Sequence, residues 1–208
     1  MTLASTYFGP VQWYTKVRQC AGPLYIEAHE TFPKQTYRNR CVIASPQGAQ
    51  QLSVPVEGSS AKHQLIRDLR ISEHGNWRRL HWQALQTAYG YSPFFEYYQD
   101  DLRPFFFDCG PSSPFHMHYL LDYNMATADF LCRMIGLEAD FRLTEEYVPA
   151  EEDAFDLRTA IRPKNAPADP DFTPQKYYQV YQQRHGFLPN LSALDLLFNE
   201  GPQAILKL

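Results

Sequence analysis

Apolar runs and one amphipathic stretch alternate at the start of the chain. Residues 3–8 are mostly apolar and predict a short strand, and a Gly-Pro pair follows it. Residues 11–20 carry apolar positions three apart, which predicts a helix. After a second Gly-Pro pair, residues 24–28 predict another strand. This strand–helix–strand order indicates a βαβ-like opening, in which ligands bind at the carboxyl ends of the strands.

The next part of the chain, residues 37–56, has the pattern of a β-hairpin. Residues 37–44 and 51–56 predict two strands, and Pro46-Gln47-Gly48 between them has turn chemistry. Pro55 confines the second strand to a sheet edge or a strand end. Residues 65–71 alternate apolar and charged side chains, which predicts a further strand at the end of that stretch.

The rest of the chain is mainly helical in pattern. Helices are predicted at residues 77–89, 94–102, 113–135, 174–185 and 192–198, with a strand within 137–143. The chain is therefore predicted to be a single α/β domain over residues 1–208. Its features are a mixed sheet with a βαβ-like N-terminal opening, a central β-hairpin and a helical C-terminal half.

Residues 145–173 differ in composition from their surroundings. Six acidic residues precede Arg158, and prolines recur after it. Such a stretch is typical of a linker or a surface arm, and we expect it to form an arm within the single domain.

Composition and charge narrow the classes of protein. With 44% hydrophobic and 15% aromatic residues, the 208-residue chain is not intrinsically disordered. A net charge of -4 argues against a nucleic-acid partner. The four cysteines form no CxxC pair and indicate reduced thiols, and there is no signal-peptide pattern or membrane-length apolar run. We therefore expect a cytoplasmic protein. The sequence identifies neither a cofactor nor an oligomeric state.

Residues 27–40 hold the most concentrated polar chemistry. Lys34, Arg38 and Arg40 give a local charge of +3, because no acidic residue occurs between positions 31 and 56. In a strand, Arg38 and Arg40 would point to the same side. Two guanidinium groups on one face suit a phosphate or a carboxylate. The alternative is a solvated face on which Glu27 or Glu30 pairs with one of these arginines.

Specific roles follow from the residue types in this stretch. Glu27 or His29 would transfer a proton. The expected substrate-binding residues here are Lys34, Gln35, Tyr37, Arg38, Asn39 and Arg40.

A second candidate lies at the start of the helix predicted at 77–89. The first-turn N–H groups near Trp77 and Arg78 can hold an anion, and His81 can act as an acid or a base. The alternative is that His81 is a partly buried helix histidine with a carboxylate partner. His116 and His118 are two residues apart and diverge on a helix, so we predict no metal site.

Motifs of several enzyme classes are missing from the sequence. It contains no P-loop, no GxGxxG and no GxSxG. These absences argue against a P-loop phosphotransferase, a standard Rossmann dehydrogenase and an α/β-hydrolase.

The order of several segments resembles the WbqC-like family. The matching segments are Y-F-G-P-V-Q-W-Y at 7–14, K-Q-T-Y-R-N-R at 34–40, L-S-V-P-V at 52–56, N-W-R-R-L-H-W at 76–82, S-P-F-F-E-Y-Y at 92–98 and N-L-S-A-L-D-L-L-F-N-E-G-P at 190–202. The resemblance covers nearly the whole chain apart from the acidic, proline-containing stretch. It implies a link to the biosynthesis of surface polysaccharide such as O-antigen.

Taken together, these features favour a transferase-type enzyme of cell-surface glycan metabolism. Its small-molecule substrate would be a nucleotide-linked or phosphorylated sugar. One alternative is a non-catalytic protein that binds a partner through its aromatic residues and acidic arm. A second alternative is an acyl- or aminoacyl-transferase whose donor is a charged tRNA.

Overall fold

A computed structural model of the chain describes residues 1–58, 64–107, 113, 115, 117–149 and 155–208. The strands within these residues form one three-stranded sheet and one two-stranded sheet. The predicted α/β class, with a central hairpin and a helical C-terminal half, is confirmed.

The parallel sheet contains the predicted βαβ-like opening. Strand β1 (Thr2–Leu3) leads through helix α1 (Val11–Gln19) to β2 (Leu24–Ile26), and β1 pairs parallel with β2. Strand β5 (Phe141–Leu143) pairs parallel with the other edge of β2. The first strand ends at Leu3 and not at Phe8 as predicted; Phe8 lies in a turn with a left-handed backbone conformation, φ of 40°.

The predicted hairpin is present as β3 (Arg40–Ser45) and β4 (Gly48–Ser53). Its two-residue turn ends at Gly48, whose φ of 108° requires glycine or strain. The first strand begins at Arg40, so Arg38 lies in the preceding turn. The expectation that Arg38 and Arg40 project from one face of a strand is therefore wrong.

The other regular elements are helices. They are α2 (Trp77–Tyr89), α3 (Phe95–Leu102), α4 (Pro104–Phe107), α5 (Leu120–Ile135), α6 (Gln182–His185) and α7 (Ala193–Glu200), with short 3-10 helices at Ile66–Asp68, His74–Asn76 and Gly201–Lys207. The predictions for α2, α3 and α7 agree to within two residues at each end. The helix predicted at 113–135 begins only at Leu120, and part of the stretch before it lies outside the described residues.

Helix α7 lies at the centre of the fold. Every side chain from Ala193 to Asn199 is buried, and the helix contacts α1, α3, α5 and β3. Ser192 caps its first turn by accepting from the Leu194 backbone N–H, and the Ser192 hydroxyl donates to the carbonyl of Phe8. The C-terminal helix is thereby fixed to the loop that follows β1.

Two predicted elements are wrong, and burial explains one of them. Residues 65–71 form a 3-10 turn and isolated bridges rather than a strand. Residues 174–181 are extended rather than helical, because Tyr177 and Gln179 are buried while Tyr178 between them is exposed. Both buried side chains donate to the carboxylate of Asp195 on α7.

The acidic, proline-containing segment contributes buried side chains to the body of the protein. Arg158 and Ile161 are both buried, and the Leu157 backbone N–H donates to the carbonyl of Thr2 on β1. The expectation of a purely surface arm does not hold at these positions. The reason is that Arg158 supplies the counter-charge for a buried carboxylate at the end of β2.

No helix in the described parts of the chain is both long and apolar enough to span a membrane.

Candidate active site

A cleft of about 510 Å³ lies near the carboxyl ends of β2 and β5. One wall comes from the loop that follows β2, and the other comes from Tyr147 and residues 158–162. The lining residues are His29, Glu30, Thr31, Pro33, Thr36, Arg38, Tyr147, Arg158, Thr159 and Arg162. The position is the one at which α/β sheets bind ligands.

Glu27 joins the two walls from beneath the cleft. It follows β2 directly and is wholly buried. Its Oε1 accepts from the His29 backbone N–H at 2.7 Å and from the Thr144 hydroxyl at 2.9 Å. Its Oε2 accepts from the Val148 backbone N–H at 3.1 Å and from Arg158 Nη1 at 3.0 Å. The carboxylate is therefore fully engaged within the protein.

Arg158 is the cation that balances this carboxylate. Its Nε donates to both carboxylate oxygens of Asp156, at 3.0 and 2.9 Å, and its Nη2 donates to the carbonyl of Val148 at 2.7 Å. Its guanidinium also lies over the ring of Tyr147, 5.4 Å from the centroid. These contacts gather Tyr147, Val148 and Asp156 around a guanidinium that is itself paired with Glu27 at the end of β2.

Arg38 forms a buried ion pair on the opposite wall. Its Nε and Nη2 donate to the two carboxylate oxygens of Glu30 at 2.6 and 2.7 Å. Its carbonyl accepts from the buried amide of Asn124 on α5, which fixes the backbone at this turn. Nη1 makes no hydrogen bond to any described residue, although Arg38 lines the cleft. Two N–H donors of a fixed guanidinium are thus available to a ligand.

His29 lies between the two walls. Its Nδ1 is 3.5 Å from the Thr144 hydroxyl and 3.9 Å from Glu27 Oε1. Its Nε2 contacts Nη1 of Arg67. Arg67 reaches this position because the backbone of residues 64–67 runs antiparallel to residues 28–32.

Arg162 gives the rim of the cleft a positive charge. It is exposed, and it has no charged partner among the residues that the structure describes. Since Arg38 and Arg158 already pair with carboxylates, Arg162 is the lining cation most available to an anionic ligand.

Several predicted substrate-binding residues lie elsewhere. Lys34 and Gln35 are exposed on the loop, and Tyr37 is part of the hydrophobic core. The amide of Asn39 donates to the carbonyl of Val54, and Arg40 Nη1 donates to the Gln51 side chain. None of these five predicted residues lines the cleft.

The second predicted cluster is buried in the core and does not line the cleft. His81 Nδ1 hydrogen-bonds the Tyr7 hydroxyl at 2.8 Å, and Trp77 packs against the His81 ring. Arg78 pairs with Glu73 and lies over the Trp77 ring. Burial lowers the pKa of His81 to about 4, so the imidazole is neutral at pH 7. These contacts favour a structural role, with Tyr7 rather than a carboxylate as the partner of His81.

The pH dependence of stability should reveal two buried groups with opposite effects. Burial lowers the pKa of His81 to about 4 and raises that of Asp195 to about 6. Between pH 4 and 6, protonation of unfolded His81 makes stability rise with pH, whereas protonation of folded Asp195 makes stability fall with pH. Each contribution is about 3 kcal/mol, and the two offset one another in the wild type.

Urea denaturation at pH 4 to 7 measures each contribution. The free energy of unfolding of wild type minus that of His81→Gln should rise by about 3 kcal/mol from pH 4 to 7. The corresponding difference for Asp195→Asn should fall by a similar amount. Differences that stay constant with pH would contradict these assignments.

Sequence reasoning missed Thr144, Tyr147, Arg158 and Arg162. They lie more than 100 positions from residues 27–40 in the sequence. The tertiary fold brings Tyr147, Arg158 and Arg162 into the lining of the cleft and Thr144 into contact with Glu27. One local signal was available, since Arg158 is the first basic residue after a run of acidic ones. Such a cation beside so many carboxylates is a candidate for a paired, structured position.

The positions of the His, Cys, Asp and Glu side chains bear on metal binding. Within the described residues, no group of three or more His, Cys, Asp or Glu side chains could hold a metal ion. Of the two histidines considered above, His116 lies outside those residues.

Comparison with known proteins finds one matching family model and a similar mycobacterial protein. The model of the WbqC-like protein family matches residues 5–169 and 164–207. Uncharacterized protein Rv1507c of Mycobacterium tuberculosis is 26% identical over 196 residues, with 83% of this chain and 81% of that protein covered. No solved structure matches the chain. All residues that line the cleft fall within the first matched segment.

Proposed function

The chain belongs to the WbqC-like protein family, and from that premise we propose that it is a transferase-type enzyme of cell-surface glycan metabolism. It transfers a group to or from a nucleotide-linked or phosphorylated sugar bound in the cleft. The described cysteines are free thiols, which supports a cytoplasmic setting.

One observation carries the proposal. His29 and Arg38 both line the same 510 Å³ cleft, and Nη1 of Arg38 makes no hydrogen bond to any described residue. The cleft thus combines an imidazole, which can serve as a general base, with fixed donors for an anion. Arg162 adds a cation at the rim, and the ring of Tyr147 offers a surface on which a sugar or a base can pack.

The side chains have separate roles in the proposed reaction. Nη1 of Arg38, together with Arg162, binds the phosphate group. His29 Nε2 takes the proton from the acceptor as the acceptor atom forms its bond to the transferred group. The electron pair of the broken bond leaves with the departing group, and where that group is a phosphate the arginines hold its charge.

Glu27 acts through its neighbours rather than on the substrate. Its four hydrogen bonds and complete burial leave no carboxylate oxygen for a ligand. We therefore assign it a positioning role for His29 and Arg158, in place of the proton transfer considered for it from the sequence.

A thermal-shift panel tests the ligand class. It contains nucleotide sugars and sugar phosphates, each beside the matching neutral sugar or nucleoside. A phosphorylated ligand at about 100 times its Kd should add about 2.7 kcal/mol of stability. Stabilisation by one phosphorylated class and not by its neutral counterpart is expected. Equal shifts with the neutral compounds, or no shift with any compound, would contradict the proposal.

A partner-binding role is favoured by a different observation. Tyr91 and Tyr97 are 95% and 76% exposed, near the end of α2 and on α3. Tyrosine is enriched at protein interfaces. Sedimentation analysis distinguishes the two functions, because concentration-dependent association with no response in the ligand panel would favour partner binding.

A further inference from the structure

The two ring nitrogens of His29 face groups with different hydrogen-bonding capacity. Nδ1 lies 3.5 Å from the Thr144 hydroxyl oxygen, and Nε2 contacts Arg67 Nη1. Counting donors and acceptors around the ring determines which nitrogen carries the proton.

Thr144 determines the role of Nδ1. Its hydroxyl has a single proton, which it donates to Glu27 Oε1 at 2.9 Å. The same oxygen accepts from the Ala28 backbone N–H at 3.0 Å. One lone pair remains, so the contact with His29 requires Nδ1 to be the donor.

Arg67 determines the role of Nε2. A guanidinium group only donates hydrogen bonds, so Nε2 must accept and must carry no proton. The two sides of the ring agree independently: His29 is neutral, with its proton on Nδ1. The Nε2 lone pair that a general base needs is present, and Arg67 covers it.

We infer that Arg67 covers His29 Nε2 in the free protein and that an anionic ligand draws its guanidinium away, which frees the base. The identity of that ligand rests on the proposed function, whereas the covering contact does not. Arg67 is thereby a further ligand-binding residue beside Arg38 and Arg162.

The energetic cost of moving Arg67 is small. Its side chain is 49% exposed, and its only ion pair within the described chain is with Asp68, itself 60% exposed, at 3.6 Å. Exposed ion pairs contribute little to stability, so a phosphate that offers a stronger pairing can displace these contacts. Arg38 and Arg158 differ in this respect, because the carboxylate side chains that they pair with are only 12% exposed in Glu30 and fully buried in Glu27.

The first measurement is made on the ligand-free protein at pH 7.5. Long-range ¹H–¹⁵N NMR spectra report the tautomer of His29, whose signals are identified by their loss in His29→Asn. The wild type should show the proton on Nδ1. In Arg67→Met the Nε2 shift should move, and modification of His29 by diethyl pyrocarbonate should be about tenfold faster, equivalent to ~1.4 kcal/mol of covering interaction.

Arg70→Met is the matched control. Arg70 is also exposed and lies three positions away, but its guanidinium lies over the Tyr119 ring and has no contact with His29 among the described residues. This variant should leave the Nε2 shift and the modification rate unchanged. A proton on Nε2 in the wild type, or identical spectra and rates in the wild type and Arg67→Met, would overturn the inference.

Inorganic pyrophosphate tests the release step. Added to the wild type, it should move the Nε2 shift toward the value in ligand-free Arg67→Met, and it should leave the variant unchanged. If pyrophosphate stabilises the protein without moving Nε2, release by the ligand is wrong. If nothing in the ligand panel binds while Arg67→Met behaves as expected, the proposed function fails and the covering contact stands.

Discussion

Arg158→Leu should lower the free energy of unfolding by about 3–5 kcal/mol, because it leaves a buried charge without its partner. Glu27 is wholly buried, and Arg158 Nη1 is the one cationic donor among its four hydrogen-bond donors in the described chain. The same substitution also removes the hydrogen bonds from Arg158 to Asp156 and to the carbonyl of Val148. Urea denaturation at pH 7 measures the loss.

Two further variants separate the buried charge from other causes. Arg142→Leu removes an exposed arginine that pairs with Asp140, and it should leave the urea midpoint unchanged. Glu27→Gln in the Arg158→Leu background removes the unpaired charge and should restore part of the stability. If Arg158→Leu is as stable as Arg142→Leu, the ion pair does not hold the two walls together.

His29→Asn should reduce turnover by about 10²–10⁴-fold while leaving ligand affinity within a few-fold of the wild type. Asparagine occupies less volume than histidine and keeps a polar side chain, but it takes up no proton. The Arg38 and Arg162 donors remain in place, so the phosphate group still binds. The measurement is single-turnover transfer from the phosphorylated sugar that the panel selects, together with its Kd.

His81→Gln provides the comparison within the same assay. His81 is buried against Tyr7 and does not line the cleft, so its loss should alter stability and leave single-turnover transfer unchanged. Transfer that survives in His29→Asn but is lost in folded His81→Gln would reverse the assignment of the two histidines.

The local sequence pattern was sufficient to predict elements whose own residues contain the capping, turn or apolar-spacing features of a helix or hairpin. The helix at 77–89 has apolar spacing and ends at Gly90, and the hairpin has turn residues between two short strands. Helix α7 has a serine cap and an apolar sequence. In each case residues close in the chain determine the conformation.

Pattern failed where distant partners decide the structure. Residues 174–181 are extended because Tyr177 and Gln179 meet Asp195, and nothing in the local sequence shows that carboxylate. The candidate site also could be predicted only in its local part. His29 and Arg38 were found from a dense polar stretch, but the second wall with Arg158 depends on contacts across more than 100 residues.

The most direct test of the central claim, an anion bound through Arg38, is isothermal titration of the selected phosphorylated sugar against three proteins. These are the wild type, Glu30→Gln and the double variant Glu30→Gln/Arg38→Met. The second substitution removes the guanidinium without leaving the Glu30 charge unpaired. Glu30→Gln should bind at least as tightly as the wild type, and the double variant about 10–150-fold more weakly, the loss for hydrogen bonds to a charged group. Wild-type affinity in a folded double variant would contradict the account.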